Sequence, residues 1–84
     1  MERNDVIKEI NFIFTDVLDN PDIVLTDETH AGMIEEWDSL THIQLVVAVE
    51  KYFKIRFTSK EIQSWNNVGE MVDSVLEKTS SGKI

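Results

Sequence analysis

The stretch Glu35-Glu36-Trp37-Asp38-Ser39-Leu40 and the apolar segment that follows it decide the fold. Asp38 and Ser39 are residue types that commonly cap helices, so a helix is predicted to begin there and to run to about Phe53. A serine in that position is expected to be exposed at the positive end of the helix dipole. A phosphate ester is favoured there by about 0.3–1 kcal/mol, which makes Ser39 a candidate site for an anionic group.

The predicted helix carries apolar side chains on two nearly opposite sides. At about 100° per residue, one stripe contains Leu45, Val46, Val49 and Phe53, and the other contains Leu40, Ile43 and Val47. The first stripe is predicted to face the core and the second to be exposed, because a small domain seldom surrounds one helix with core. An exposed apolar patch with a polar rim is typical of a partner site. The alternative is a central helix with both stripes buried.

Length and composition exclude several classes of protein. A chain of 84 residues is predicted to form one domain with one modest core, too small for a deep active-site cavity. Its 16 Asp and Glu exceed its 8 Lys and Arg, and the net charge of −8 argues against nucleic acid and anionic membranes as partners. Because there is no cysteine, any thiol must come from a cofactor. The chain shows no signal-peptide pattern and no apolar run of transmembrane length, so a cytoplasmic protein is expected.

A first helix is predicted before the central one. Asn4 or Asp5 can cap it, and apolar residues at helical spacing continue to about Leu18. That spacing leaves Asn11 among the residues on the solvent side. Pro21 closes the segment, because proline cannot continue a helix.

A polar loop is predicted from residue 22 to residue 37. Within it, Ile23-Val24-Leu25 is apolar but has no partner strand elsewhere, so it is expected to rest on the core. Met33, Ile34 and Trp37 are predicted to anchor the end of the loop, and His30 is expected on its surface. Loops of this length in compact domains are usually functional.

Two shorter signals complete the chain. Thr58-Ser59-Lys60-Glu61 has the spacing of a capping box and predicts a short helix, and Asn67-Val68-Gly69-Glu70 repeats the device before a last helix. A flexible tail is predicted at 79–84. The chain is therefore predicted to be a single all-α domain, 1–84, built as a small bundle of three main helices and one short helix.

These elements in this order resemble the acyl carrier proteins. Asp38-Ser39-Leu40, placed after a long loop and at the start of a central helix, is similar to the attachment motif of that family, and the likeness extends over nearly the whole chain. The resemblance implies that Ser39 carries 4′-phosphopantetheine, transferred from coenzyme A by a phosphopantetheinyl transferase that uses magnesium. It also implies a monomeric carrier, not an enzyme, which holds an acyl group as a thioester and in which Asp38 and Leu40 flank the attachment site.

The resemblance also implies a partner surface along the helix after the serine. Leu40, Ile43 and Val47 match the apolar patch of the family by position, and Glu35, Glu36, Asp38 and Glu50 match part of its acidic surround. The implied partners are the transferase, an acyl-loading ligase or acyltransferase, and a ketosynthase or other acyl-processing enzyme. Members that serve fatty acid biosynthesis usually have acidic residues at the positions of Thr41 and Gln44 and a small residue at that of Trp37. These departures favour a dedicated carrier in a lipid, O-antigen or secondary-metabolite pathway.

Other interpretations remain open from sequence. The bundle and the serine are shared with peptidyl and aminoacyl carriers, and an unmodified interaction subunit would keep the apolar patch. A hydrolase using Ser39 and His42 lacks an orienting carboxylate, an oxyanion hole and a cleft. The acids at 35, 36 and 38 with His42 have no fixed coordination geometry, so no metal site is predicted.

Overall fold

Four α-helices and one turn of 3₁₀-helix make up the regular structure of residues 2–81, the part of the chain that the computed structural model describes, with side chains through residue 79. The elements are α1 (Arg3–Val17), the 3₁₀ turn (Ala31–Met33), α2 (Ser39–Phe53), α3 (Ser59–Ser64) and α4 (Val68–Ser81). These described residues contain no strand, which confirms the all-α bundle of three main helices and one short one. Residues 79–81 of the predicted tail belong to α4, and 82–84 lie outside the described residues.

The core forms where α1 packs against both α2 and α4. The helical spacing of the apolar residues in α1 places Val6, Ile10 and Phe14 on one buried side, as predicted. The whole buried cluster comprises Val6, Ile10, Ile13, Phe14, Leu18, Ile23, Leu25, Trp37, Leu45, Val49, Val68, Met71, Val72 and Val75. Every main helix and the long loop thus contribute to one core, and the loop is part of the fold.

The start of α1 lies slightly earlier than predicted. Glu2 is the N-cap residue, and its backbone N–H donates a hydrogen bond to Asp5 Oδ2 at 3.3 Å. The prediction that Asn4 or Asp5 caps the helix is therefore wrong, because Asp5 acts from the third helical position and Asn4 already lies inside the helix. The predicted end is confirmed, since Leu18 is the C-cap residue.

Asn11 holds the first part of the loop against α1. Its Oδ1 accepts a hydrogen bond from the Leu25 N–H at 2.6 Å, and its Nδ2 donates to the Ile23 carbonyl at 3.1 Å. The prediction that Asn11 faces solvent is wrong, because the loop covers that side of α1. Ile23 and Leu25 are buried while Val24 is exposed, which confirms that this segment rests on the core.

The end of the loop is held by fewer residues than predicted. Met33 is 62% exposed, so the prediction that it anchors the loop is wrong. The 3₁₀ turn, capped by His30 Nδ1 accepting from the Gly32 N–H at 3.1 Å, places the Met33 side chain outward. Ile34 is half-buried and Trp37 is buried, and these two residues fix the loop before α2.

The middle of the loop supplies hydrogen-bond acceptors to the first turn of α4. The Thr29 carbonyl accepts from the Val68 N–H at 2.8 Å, and the Asp27 carbonyl accepts from the Gly69 N–H at 2.9 Å. Two of the N–H groups that a helix start leaves unpaired are thereby satisfied by loop backbone. A Cβ at Gly69 would lie 2.8 Å from the Asp27 carbonyl oxygen, so the close approach of the loop requires glycine there.

The capping signals before α3 and α4 are realised to different extents. Thr58 Oγ1 accepts from the Glu61 N–H at 3.1 Å and Glu61 Oε1 accepts from the Thr58 N–H at 2.8 Å, which confirms the predicted capping box. Before α4, Asn67 Oδ1 accepts from the Glu70 N–H at 3.0 Å, but the Glu70 carboxylate accepts from the Asn66 N–H at 3.3 Å. The second device is thus half a capping box, with its return bond one residue earlier.

Candidate functional site

Asp38 caps α2 and fixes the direction in which the helix leaves the loop. Its Oδ1 accepts hydrogen bonds from the Leu40 and Thr41 N–H groups, each at 2.9 Å. Thr41 Oγ1 accepts from the Asp38 N–H at 2.8 Å, so the two side chains form a reciprocal capping box. These backbone donors lower the pKa of the Asp38 carboxyl below its ordinary value, and the group is a carboxylate at neutral pH.

Ser39 is the first residue of α2, and its side chain is exposed. No hydrogen bond joins its hydroxyl to another residue in the described part of the chain. The sequence predicted free N–H groups around it, but Asp38 already occupies those of Leu40 and Thr41. The attraction of this helix end for an anion is therefore weaker than the sequence indicated, while the hydroxyl itself remains accessible.

Trp37, just before α2, and His42, in its first turn, form a partly buried polar contact. Trp37 Nε1–H donates to His42 Nδ1 at 3.0 Å, and the two rings stack with centroids 6.0 Å apart. Burial lowers the pKa of His42 below 6.5, so the ring is neutral at pH 7 with its proton on Nε2. The adjoining cavity has a volume of only about 110 Å³. His42 is thus a half-buried residue whose ring packs against the core residue Trp37.

We expect the stability of the protein to fall in mild acid because of His42. The unfolded chain binds the His42 proton near pH 6.5, whereas the folded chain binds it only at a lower pH. Stability is therefore fully present above pH 6.5 and is lost as the pH falls through the folded-state pKa, since the unfolded chain then holds more protons. Urea midpoints at pH 7.5 and 5.5 measure this loss. A His42→Gln variant is the control, and an equal decline in both proteins would contradict the prediction.

The apolar stripe of α2 that the sequence predicted to be exposed is exposed. Leu40 is 69% accessible, Ile43 is 63% and Val47 is 41%, while Leu45 and Val49 on the other side are fully buried. The alternative of a central helix with core on both sides is excluded by these values. Large exposed aliphatic side chains in one row on a helix are typical of a contact surface for another protein.

The acidic residues predicted to surround this stripe differ in exposure and in hydrogen bonding. Glu35 and Asp38 are exposed, whereas Glu36 and Glu50 are half-buried. Glu36 Oε2 accepts from Asn20 Nδ2 at 3.1 Å, and Glu50 Oε2 accepts from the Phe57 N–H at 2.8 Å. Glu36 and Glu50 therefore hold the loop and the connection after α2, in addition to any contact with a partner.

Thr41 is a site residue whose role the sequence did not reveal. Besides its bond with Asp38, its hydroxyl donates to the Glu36 carbonyl at 2.8 Å. It therefore connects the loop, the N-cap and the first turn of α2. The spacing Asp38-x-x-Thr41 is the available signal, since a capping box pairs positions three residues apart. Thr41 therefore has a structural function in this chain, where an acidic residue at the same position would add a negative charge to the surface.

Two kinds of site find no support in the described residues. No group of three or more His, Cys, Asp or Glu side chains there is arranged to hold a metal ion. None of the helices between residues 2 and 81 is long and apolar enough to cross a membrane. The exposed Ser39 and the exposed apolar stripe of α2 are the features that mark the candidate site.

Comparison with known proteins agrees with this geometry. The family model described as the phosphopantetheine attachment site matches residues 12–75, which include all of α2. The chain belongs to this family of phosphopantetheine-binding carrier proteins. A solved structure of the holo acyl carrier protein from Geobacter metallireducens is 40% identical, with a TM-score of 0.87 over 92% of this chain and 88% of that chain.

Family membership decides the general function. The chain is an acyl carrier with covalently attached 4′-phosphopantetheine, and it is a carrier and not an enzyme. Carriers of this family interact with phosphopantetheinyl transferases and with acyl-processing enzymes. The hydrolase interpretation is thereby set aside, in agreement with the hydrogen bond that directs His42 Nδ1 to Trp37.

Proposed function

We propose that Ser39 is the residue that bears the phosphopantetheine arm. The observation that carries this proposal is the exposed hydroxyl at the first position of α2, beside an N-cap Asp38 that is fixed by two backbone hydrogen bonds. A transferase can reach this oxygen without unfolding any element. The neighbouring helix turn is held rigid by the capping box, so the position of the serine is well defined.

The arm supplies the chemistry that the chain itself lacks. The sequence contains no cysteine, so the terminal thiol of phosphopantetheine is the group that holds an acyl chain as a thioester. Attached at Ser39, the arm begins at the outer end of α2 and extends away from the bundle. The acyl group can then enter the active site of another enzyme while α2 contacts that enzyme's surface.

We infer that partners bind the exposed stripe formed by Leu40, Ile43 and Val47. The exposed carboxylates of Glu35 and Asp38 lie toward the Ser39 end of that stripe and would meet basic side chains of a partner. Glu36 and Glu50 are included in this surface, although each also holds local backbone or side chains in place. Leu40, directly after Ser39, is the apolar contact nearest to the arm.

We also propose a dedicated pathway, in lipid modification or secondary metabolism, in preference to general fatty acid biosynthesis. Two uncharged residues, Thr41 and Gln44, lie on the first turns of α2 where more acidic carriers would attract basic partners. Fewer charges slow the encounter with such partners. Partners are an acyl-loading ligase or acyltransferase and a ketosynthase or other acyl-processing enzyme, and the chain acts as a single monomeric cytoplasmic domain.

Intact mass spectrometry tests the attachment site. The purified chain is incubated with coenzyme A and a phosphopantetheinyl transferase of broad specificity. The wild type is expected to gain one phosphopantetheinyl group and Ser39→Ala to gain none. Ser59→Ala is the matched control, since Ser59 is also an exposed serine at the first position of a helix, and it should be modified fully.

The other outcomes are equally informative. A modified Ser39→Ala variant would place the arm on another residue. A wild-type chain that stays unmodified would favour an interaction subunit that uses only the apolar stripe. The intact mass of the protein isolated from its own host identifies the bound group, because any mass increment beyond the arm is that of the acyl group. An aminoacyl increment would indicate the peptidyl-carrier alternative.

A further inference from the structure

Charge is distributed very unevenly along the chain. Residues 19–38 contain seven Asp and Glu and no Lys or Arg, whereas residues 51–60 contain no acid and four of the eight basic residues, namely Lys51, Lys54, Arg56 and Lys60. All four are exposed. Among the described residues, Arg3 and Lys78 form ion pairs, whereas these four cations have no acidic side chain within 4.0 Å.

The two charged regions lie at opposite ends of α2. The helix has 15 residues, so it is about 22 Å long at 1.5 Å per residue. The acidic loop delivers Asp38 to its start, and Lys51 and Lys54 occupy its last turn and C-cap. The exposed apolar stripe runs between them, so one surface is acidic at the Ser39 end and basic at the other end.

The basic end forms a concave surface. A groove of about 630 Å³ is lined by Val47, Glu50, Lys51, Lys54, Ile55 and Arg56. Val47 also belongs to the exposed stripe, so the groove continues the surface that begins at Leu40. The single carboxylate among the lining residues is that of Glu50, which accepts a hydrogen bond from the Phe57 N–H. Because three cations face this one carboxylate, the groove has a net positive charge.

The needs of the helix itself account for only part of this basic cluster. Lysine near a helix C-terminus is favoured by the dipole, but Arg56 lies beyond the helix in the extended connection. Lys54 adopts φ 58° and ψ 47°, the left-handed conformation. Glycine is the usual residue in that conformation, and a side chain there costs about 1–2 kcal/mol. The chain thus places a cation where local geometry favours glycine.

We propose that the phosphopantetheinyl transferase that modifies Ser39 binds this groove with acidic side chains. A standard interface covers about 800 Å² on each partner, which corresponds to a patch roughly 30 Å across. An enzyme that reacts at Ser39 and covers the apolar stripe therefore reaches both ends of α2. Its complementary surface carries basic residues near its active site and acidic residues about 20 Å away.

The opposite charges determine the direction in which α2 lies on the enzyme. Reversed binding would bring the acidic loop onto the enzyme's acidic side chains and the lysines onto its basic ones. Juxtaposed like charges are unfavourable and exclude wrong orientations. The basic groove is thus a specificity-determining surface that presents Ser39, and not the far end of α2, to the active site. The inference rests on the proposed attachment at Ser39.

Charge reversal tests the inference, because it predicts whether the KM of the transferase for the carrier rises or falls. Steady-state kinetics with the transferase from the same organism are measured for Lys51→Glu, Arg56→Glu and the double variant, with Lys8→Glu as the control. Lys8 is exposed on α1 and is not among the residues that line the groove, and its reversal changes the net charge by the same amount as each of the two single substitutions. The double variant is expected to raise the KM for the carrier about tenfold, because each reversal replaces an attraction by a repulsion.

The control gives the opposite expectation. Lys8→Glu makes an acidic carrier more acidic and should leave the KM unchanged or lower it by stronger general attraction to a basic active-site rim. The kcat should change little in all variants, and circular dichroism confirms that they are folded. A KM that is unchanged or lowered by the Lys51→Glu and Arg56→Glu substitutions would overturn the inference while leaving Ser39 modified. A wild-type chain that gains no arm would instead refute the attachment site, and the inference with it.

Discussion

Replacing Trp37 with alanine is expected to lower the free energy of unfolding by about 3–5 kcal/mol, the range for removing a large aromatic side chain from a core. Trp37 is 7% exposed, and its ring meets that of Phe14 edge to face with centroids 4.9 Å apart. The substitution also removes the N–H that binds His42 Nδ1. Urea unfolding followed by circular dichroism measures the loss.

A second substitution separates packing from hydrogen bonding at the same position. Trp37→Phe keeps an aromatic ring but leaves His42 Nδ1 without its donor, which should cost about 1–3 kcal/mol. Trp65→Phe is the matched control, because it makes the same change of side chain and also removes a hydrogen bond of the indole N–H. That bond runs from Trp65 Nε1–H to Ser74 Oγ at 2.9 Å, and Trp65 is half-buried whereas Trp37 is buried. A Trp37→Ala protein within 1 kcal/mol of the wild type would show that the loop before Ser39 does not depend on this side chain.

The structure shows how the chain accommodates Trp37 at a position where the resemblance to carriers of fatty acid biosynthesis leads us to expect a small residue. The sequence predicted an anchor for the loop, and the structure shows Trp37 filling the core between Phe14 and His42. With a small residue at position 37, other side chains would have to fill the space between Phe14 and His42. The tryptophan therefore belongs to a local arrangement that includes His42, and its effect on Ser39 is to hold the preceding loop in place.

Local signals were sufficient for α2 and for the exposed stripe. Helical periodicity separated Leu40, Ile43 and Val47 from the buried side of the helix, and the structure confirms this division. The capping box at Thr58 and Glu61 was equally clear. In both cases the deciding interactions join residues three or four positions apart, so the sequence contains them directly.

Side chains that contact distant backbone were not predictable in this way. Glu50 lies on α2 at a position expected to serve partners, yet its carboxylate accepts from the Phe57 N–H, seven residues later. Glu36 was expected to belong to the acidic surround of the partner surface, and its carboxylate also accepts a hydrogen bond from Asn20 Nδ2. Periodicity identifies the side of a helix on which a residue lies, but it does not identify the segment that will cover that side.

Asn11 is the clearest case, and Asn11→Ala is expected to cost about 2–4 kcal/mol. The substitution leaves the Leu25 N–H and the Ile23 carbonyl without partners, and each unsatisfied buried group costs about 1–3 kcal/mol. These bonds, at 2.6 and 3.1 Å, attach Leu25 and Ile23 of the loop to α1. Urea unfolding measures the global effect, and hydrogen exchange at the Leu25 amide should accelerate by more than exchange at core amides.

Two further variants define the role of Asn11. Asn4→Ala removes an exposed asparagine from the same helix and should change stability by less than about 0.5 kcal/mol. Asn11→Asp keeps the acceptor for the Leu25 N–H but places an oxygen against the Ile23 carbonyl, so one of the two bonds is lost. Equal stabilities for Asn11→Ala and Asn4→Ala would mean that the loop is held by Ile23 and Leu25 packing alone. A cost confined to Asn11 variants would instead show that one polar side chain on α1 positions the loop that leads to Ser39.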